Sequence, residues 1–477
     1  MKNCPECLTR TRKPSDVWRR TLDSRLRGND HQEKSAFIRE ICGRKHRSTP
    51  PRPSSKLHTC HRLPPAQMKH ALRALSQRNF RLYFVGQGAS LVGTWMQQLA
   101  LSWLVYRLTG SPFMLGLTNF VGQIPILFLA PFGGVWSDRI DRRRAMLLTQ
   151  ALSLAQAATL TVLAFGGWIE VWHLLCAAAF IGVVNAFDAP LRQSFLLELV
   201  GSREQLPNAI ALNSLMMHSS RLIGPTLAGL MLALTSEAWC FLINALSYLA
   251  VLASLLAMHL APTAPHKQTH HWLAGLIEAL RFAFGFGPTR LLLGLVALMS
   301  FVATPYSTLL PVFARDILGG GAHTLGWLVA SAGAGAVIGV VFLALRRGTA
   351  GLERVIAAAA LLSGVGLLLF SRSQSLWLSL LLLPLIGFGT MSVAASVNTL
   401  IQLIASDAMR GRLVSLQVTA FLGVMPLGAL AFGWLAEHIG APNTVSVGGV
   451  LCLLGAVWFA SRLKVLRPLL MPHHAAN

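Results

Sequence analysis

The sequence predicts an all-α membrane protein, with twelve transmembrane helices in two six-helix bundles. Three observations lead there. The 477-residue chain is 53% hydrophobic and only 12% charged, with a mean hydropathy of +0.55; soluble domains carry about 25% charged residues. The apolar residues come in long runs, and a bilayer core about 30 Å thick takes about 20 of them per helix. The alternating short strands of a β-barrel are not seen. The second half of the chain also repeats features of the first.

Apolar spans fall at 81–106, 112–136, 144–166, 171–191, 209–233 and 239–260, and, after a longer polar stretch, at 290–313, 324–345, 353–371, 375–403, 413–435 and 443–461. The expected organisation is a basic N-terminal extension (1–67), an N-terminal bundle (68–260), a linker (261–289), a C-terminal bundle (290–463) and a short tail (464–477). Within the linker, Leu273, Ile277, Leu280 and Phe284 form an apolar stripe. That pattern suits a helix lying on a membrane surface, or equally one packed on the bundle. Placing RLIGPTLAGLML (221–232) on MPLGALAFGWLA (425–436) matches Gly224 with Gly428 and Gly229 with Gly433. Nearly the same shift sets Gly134-Val135 on Gly339-Val340, and Arg142 on Arg347. Parallel halves related about the membrane normal form a known transporter architecture.

Sixteen of the 41 Lys and Arg lie in residues 1–68, a stretch rich in Pro and Ser without an apolar run. It reads as a disordered arm rather than a secretory signal. The segment DSRLRGND (23–30) resembles a translated bacterial intergenic repeat, so Met68 is an expected native start. Cys4, Cys7, Cys60 and His61 fit no zinc-finger spacing well; no metal or cofactor is expected. Cys176, Cys240 and Cys452 read as small core residues.

The net charge of +23 does not point to nucleic acid, because its distribution follows the positive-inside pattern. With the N-terminus inside, the inner loops collect Arg78, Arg81, Arg139, Arg142, Arg143, Arg144, Arg192, Arg203, Arg281, Arg290, Arg346, Arg347, Arg354, Arg410, Arg412 and Arg462, whereas the outer loops hold Arg107, Arg315 and Arg372. Both termini are expected in the cytoplasm.

The break between the second and third spans reads GGVWSDRIDRRRAML (133–147). Its arginines suit carboxylates, helix C-termini and lipid headgroups, or merely fix orientation. The order Gly134-x3-Asp138-Arg139-x2-Arg142-Arg143 resembles the loop 2–3 signature of the major facilitator superfamily, which commonly has Gly where this chain has Asp141. The resemblance implies a cytoplasmic latch between the two halves. Its counterparts here are Asp188 and Arg192 in helix 4, and Asp407 and Arg410 at the start of helix 11. Gly224-Pro225-x2-Ala228-Gly229 resembles the family's antiporter motif, which implies export; small-residue helix packing explains the same residues. RNFRLYFVGQGASLVGTWMQQLALSWLVYRLTGSPFMLG (78–116), together with residues 185–230, is similar to the enterobactin-exporter and transmembrane-secretion-effector branch.

An ionisable group in mid-membrane marks a functional site by default. Arg221 is such a group, and Asn213 and Met217 share its face with Gly224. Ser90, Thr94 and Gln97 follow helical spacing on the first span. Thr304-Pro305-Tyr306 predicts a bend in the seventh, and Ser396 lies on the tenth. These residues, with Tyr306, form the expected substrate cavity, although each also suits a bond to a neighbouring helix. Asp188 is the deepest acid, suited to the latch or to titration; His173 and His218 are further candidates for a proton site, although a lone His on a helix is more often structural. No constellation suits an enzyme, and no G-x4-GK[ST] loop suggests ATP. The reading is a secondary transporter of the bacterial inner membrane, a monomer among lipids, exporting an amphiphilic small molecule against protons. A facilitator-type importer, a lipid flippase or a non-transporting scaffold are the alternatives on the same fold.

Overall fold

The structure is a computed structural model. It describes residues 73–137, 140–199, 205–259, 281, 285–346, 348–405 and 407–463. The expected extension, nearly all of the linker, the tail, and Asp138 and Arg139 lie outside the described residues.

Fourteen helices make twelve spans among the described residues: α1 (Arg78–Thr109), α2 (Pro112–Ser137), α3 (Arg142–Phe165), α4 (Val171–Leu199), α5 (Leu206–Leu234), α6 (Glu237–Ala257), α7 (Gly287–Val302), α8 (Tyr306–Val312), α9 (Ala322–Leu345), α10 (Leu352–Ser371), α11 (Leu376–Ile404), α12 (Asp407–Leu422), α13 (Met425–Ile439) and α14 (Ala441–Ser461). The seventh span is α7 and α8, bent at Thr304-Pro305 as the sequence predicts, and it runs on into a π-helical turn at Phe313–Ile317. The eleventh is α12 and α13, interrupted at Gly423-Val424 just before Pro426. Ten spans among the described residues are both long and apolar enough to cross a membrane. The others, α1 and α5, have ample length at 32 and 29 residues, but polar residues dilute their hydropathy.

The repeat reappears as packing. In the first half α1 packs on α5 and α6, α2 on α4, and α3 on α4 and α6; in the second, α7 packs on α12 and α14, α9 on α11, and α10 on α11 and α14. Between the halves, α5 meets α9 and α13 meets α2. A two-fold exchange of halves maps one seam onto the other. The matched glycines explain why. At one seam Gly229 faces Gly326; at the other Gly433 faces Gly116, in each case with a hypothetical Cβ falling within 3.0 Å of the opposing Cα. Gly224 and Gly428 are equally tight against the equivalent spans, touching Val92 and Trp95 in one half and Phe301 and Pro305 in the other. Small residues of this kind let helix backbones approach in lipid, where no hydrophobic drive joins helices.

Proline inside a helix frees the carbonyl four residues back, and in a membrane that group needs a partner. Pro384 frees Leu380 O, and Ser331 Oγ on α9 donates to it at 2.6 Å. Pro225 likewise leaves the Arg221 carbonyl without its helical donor, and that carbonyl faces Gly333 of α9.

Candidate functional site

The exposed residues of α5 fall into two stripes. Leu215, Ile223, Leu227, Leu230 and Leu234 are apolar and run from the helix's first third to its end, as a lipid-facing surface does. Ile210, Ser214, Met217 and Arg221 make the second stripe, at spacings of three and four. That stripe stops at Arg221: the next residues on the face, Gly224, Pro225 and Ala228, are buried against α1 and α9. The second stripe therefore borders a space open toward the basic loops and sealed one turn beyond Arg221. The inner half of the eleventh span agrees, for α12 is exposed at Arg410, Gly411, Arg412, Ser415, Val418, Thr419 and Leu422.

Arg221 lies at the head of this space. Its guanidinium carbon sits 5.2 Å from the centroid of the Trp95 ring on α1, a cation–π distance. No carboxylate among the described residues pairs with it. Met217 is half exposed on the same stripe, and Asn213 is partly buried with its amide 3.9 Å from the Met217 sulfur. Tyr306 lies within electrostatic range of the guanidinium, but is itself buried edge-on to Phe370, with ring centroids 6.4 Å apart.

Other members of the expected cavity set lie elsewhere. Ser90 is buried. Thr94 Oγ1 donates to Ser90 O at 2.9 Å and shares a 3.3 Å bond with the Tyr248 hydroxyl of α6. Gln97 is buried between Gln156 of α3, to which it donates at 2.9 Å, and Asn244 of α6, from which it accepts at 2.8 Å. The polar face of α1 thus turns into its own bundle, because amides placed among three helices satisfy one another there. Ser396 is fully buried in α11 with no hydrogen-bond partner for its hydroxyl. Trp95, absent from the sequence-based set, is what the pairing of α1 with α5 adds.

At the basic end, Asp188 is buried and ion-paired with Arg192 one turn on, and its Oδ1 accepts from Thr149 Oγ1 at 2.7 Å and Gln150 Nε2 at 2.8 Å. Arg142 pairs with Glu198 of α4. Arg143 donates to the carbonyls of Leu255 and Leu256 at the end of α6, both at 3.0 Å, where a cation also meets the negative end of the helix dipole. Asp141 stands in extended backbone with φ −64° and caps α3, accepting from the amides of Arg143 and Arg144 at 3.0 and 3.2 Å. The left-handed conformation that a glycine would favour is not used here, which is why Asp is accommodated. Gly134 lies in the last turn of α2, Asp407 opens α12, and Arg410 Nε donates to Gln402 O at 3.2 Å within its own half.

Polar contacts between the halves cluster at the opposite end. The Tyr106 hydroxyl of α1 donates to Asp316 in the π-helical turn, and Arg315 lies 5.8 Å from the Tyr106 ring. Glu437 of α13 accepts from Ser111 Oγ at 2.9 Å and from the Phe113 amide at 3.1 Å, binding the first turn of α2. Nothing in spacing or composition marked these residues, since they meet only once the halves are docked.

The sequence matches the family described as transmembrane secretion effector over residues 69–469. It is 24% identical to the staphyloferrin A transporter of Staphylococcus aureus, over 80% of this chain and 96% of that one. It is 26% identical to the multidrug efflux pump Tap of Mycolicibacterium fortuitum (77% and 92% covered) and 22% identical to the macrolide efflux protein A of Streptococcus pyogenes (79% and 94%). Among solved structures, a POT family transporter in complex with 5-aminolevulinic acid superposes with a TM-score of 0.65 at 13% identity, over 81% of this chain and 96% of that one. A bacterial homologue of the lysosomal transporter Spinster, inward-facing and occupied, gives 0.62 at 13%, with the same coverage of each chain. With the match spanning most of its length, and with twelve spans in two docked bundles, the chain belongs to the transmembrane secretion effectors of the major facilitator superfamily and is a multi-pass membrane transporter of small molecules, not an enzyme.

Proposed function

We propose that the chain exports amphiphilic small molecules from the bacterial cytoplasm, driven by protons, by alternating access in the inner membrane. The observation that carries this reading is the contrast between the two ends of the molecule. One end is joined by Tyr106–Asp316 and by Glu437 on the start of α2, while the α5 stripe ending at Arg221 is open at the other. With the basic loops in the cytoplasm this is an inward-open state. Rocking one half about the two glycine seams opens the outer end. The inner end then closes with the loop from Gly134 through Asp138, Arg139, Arg142 and Arg143 against Asp188–Arg192 and Asp407–Arg410. Gly224, Pro225, Ala228 and Gly229 serve as the sealed outer wall, which suits the antiporter-like motif. The protein works as a monomer bedded in lipid, and its export relatives favour outward transport. Accumulation of a fluorescent amphiphile in cells tests this: the expressing strain holds less than a deletion strain, and an uncoupler abolishes the difference. A difference that survives the uncoupler would exclude the proton drive; higher accumulation in the expressing strain would reverse the direction.

A further inference from the structure

Arg221 cannot shed its charge, and it sits where charge is expensive. The usual solution is a buried carboxylate beside it, and among the described residues there is none. Several of the described acids are already engaged: Asp188, buried within α4, with Arg192, Glu198 with Arg142, Glu237 with Arg107, Asp316 with Tyr106, Glu437 with the start of α2. The guanidinium is instead laid over Trp95, which covers a face and leaves its edge N–H groups unspent. That edge is a planar fork matched to two oxygens of one anionic group. Met217 beside it is an adaptable apolar contact, and the part of the indole that the guanidinium leaves uncovered adds apolar, planar surface.

We infer that the cavity selects amphiphilic anions: an acidic group with two oxygens, a carboxylate or its equivalent, on an apolar and preferably flat scaffold. Arg221 is the specificity-determining residue and Trp95 its support. The substrate supplies the negative charge that the protein omits. An organic cation of the same size meets an uncompensated positive charge at the head of the cavity and is disfavoured. This deepens the transporter reading of the cavity and depends on it for the route, but not for coupling or direction.

The test is equilibrium binding to the purified full chain in neutral detergent, by calorimetry, with three probes: 1-naphthoate, its neutral isostere 1-naphthamide, and tetraphenylphosphonium. Naphthoate is expected to bind about 10-fold or more tighter than the amide, as a charge-assisted pair requires. Arg221→Gln reduces naphthoate affinity about 10- to 100-fold and leaves the amide within a few-fold; Arg221→Lys, keeping charge but losing the fork, falls between. Equal binding of naphthoate and naphthamide by the wild type, or tighter binding of the phosphonium, overturns the inference without any variant having to fold. So does displacement of naphthoate by short-chain phosphatidylglycerol at lower concentrations than by benzoate, which would assign the guanidinium to a lipid phosphate. Binding at equilibrium needs no proton gradient. A failed uncoupler experiment therefore leaves these ratios standing, and lost selectivity leaves proton-driven export standing.

Discussion

The seam between α5 and α9 and the seam between α13 and α2 are one joint used twice. In each, a glycine from one half lies on a glycine of the other, Gly229 on Gly326 and Gly433 on Gly116. The flanking chemistry differs. On the first seam α5 runs unbroken through Pro225 and carries Arg221 four residues before it. At the repeat offset the second seam has Met425, the first residue after the interruption at Gly423-Val424. In the proposed rocking both copies of the joint must give way together, which a matched pair of glycine contacts suits. The cavity wall has no such requirement, so a charge on one side only is tolerated, and a binding site built from the asymmetry has a defined polarity.

The comparison breaks most visibly at the glycines. A Cβ on Gly326 would stand 2.7 Å from the Cα of Gly229, and one on Gly116 would stand 3.0 Å from the Cα of Gly433; neither neighbour is a side chain that can swing away. Gly326→Val and Gly116→Val are each expected to destabilise by about 1–3 kcal/mol, the usual range of overpacking. Both should lower the temperature at which the purified protein loses its monodisperse peak, by similar amounts. A large loss at one site only would end the claim that the seams are equivalent. A smaller effect separates the two ends of the molecule. Tyr106→Phe removes the bond to Asp316, about 1 kcal/mol for a hydrogen bond near solvent. The population should move roughly 5-fold toward the state open at that end, seen as slower thiol labelling of Ser214→Cys in a background lacking all seven native cysteines. Unchanged or faster labelling would remove Tyr106 from the contacts that hold that end closed. The smallest effect lies at Asp141. Alanine there costs about 1 kcal/mol of cap, whereas glycine costs only a few tenths. Thermal shifts ranking glycine below alanine in stability would contradict the capping role.

The fold was legible in the sequence because lipid imposes a coarse rule: helices of fixed length, few charges, and basic residues on one side. The bend at Thr304-Pro305 and the glycine match at an offset of 204 were legible for the same reason, since proline and glycine act through the backbone. Side-chain direction around a helix was harder. Ser90, Thr94 and Gln97 follow a perfect helical period, yet the period says only that they share a face. That the face meets Gln156, Asn244 and Tyr248 depends on which helices sit beside α1. Arg221 was visible because its cost in the membrane is visible. Trp95, Tyr106, Asp316 and Glu437 were not, for each acquires its role from a partner far along the chain. At Asp141 the family's glycine left the turn geometry open, and the backbone there, which is extended, asks only for a cap.

A joint of bare backbone has further consequences for motion. Interlocked side chains must withdraw before two surfaces slide, and each withdrawal raises the barrier. Where Gly229 rests on Gly326 and Gly433 on Gly116 there is little to withdraw, and the weak contacts between such backbones, worth about 0.5–1 kcal/mol each, re-form at many nearby angles. In the proposed rocking the seams act as plain bearings rather than gears. The energy difference between the proposed open states is then left to the polar groups at the two ends.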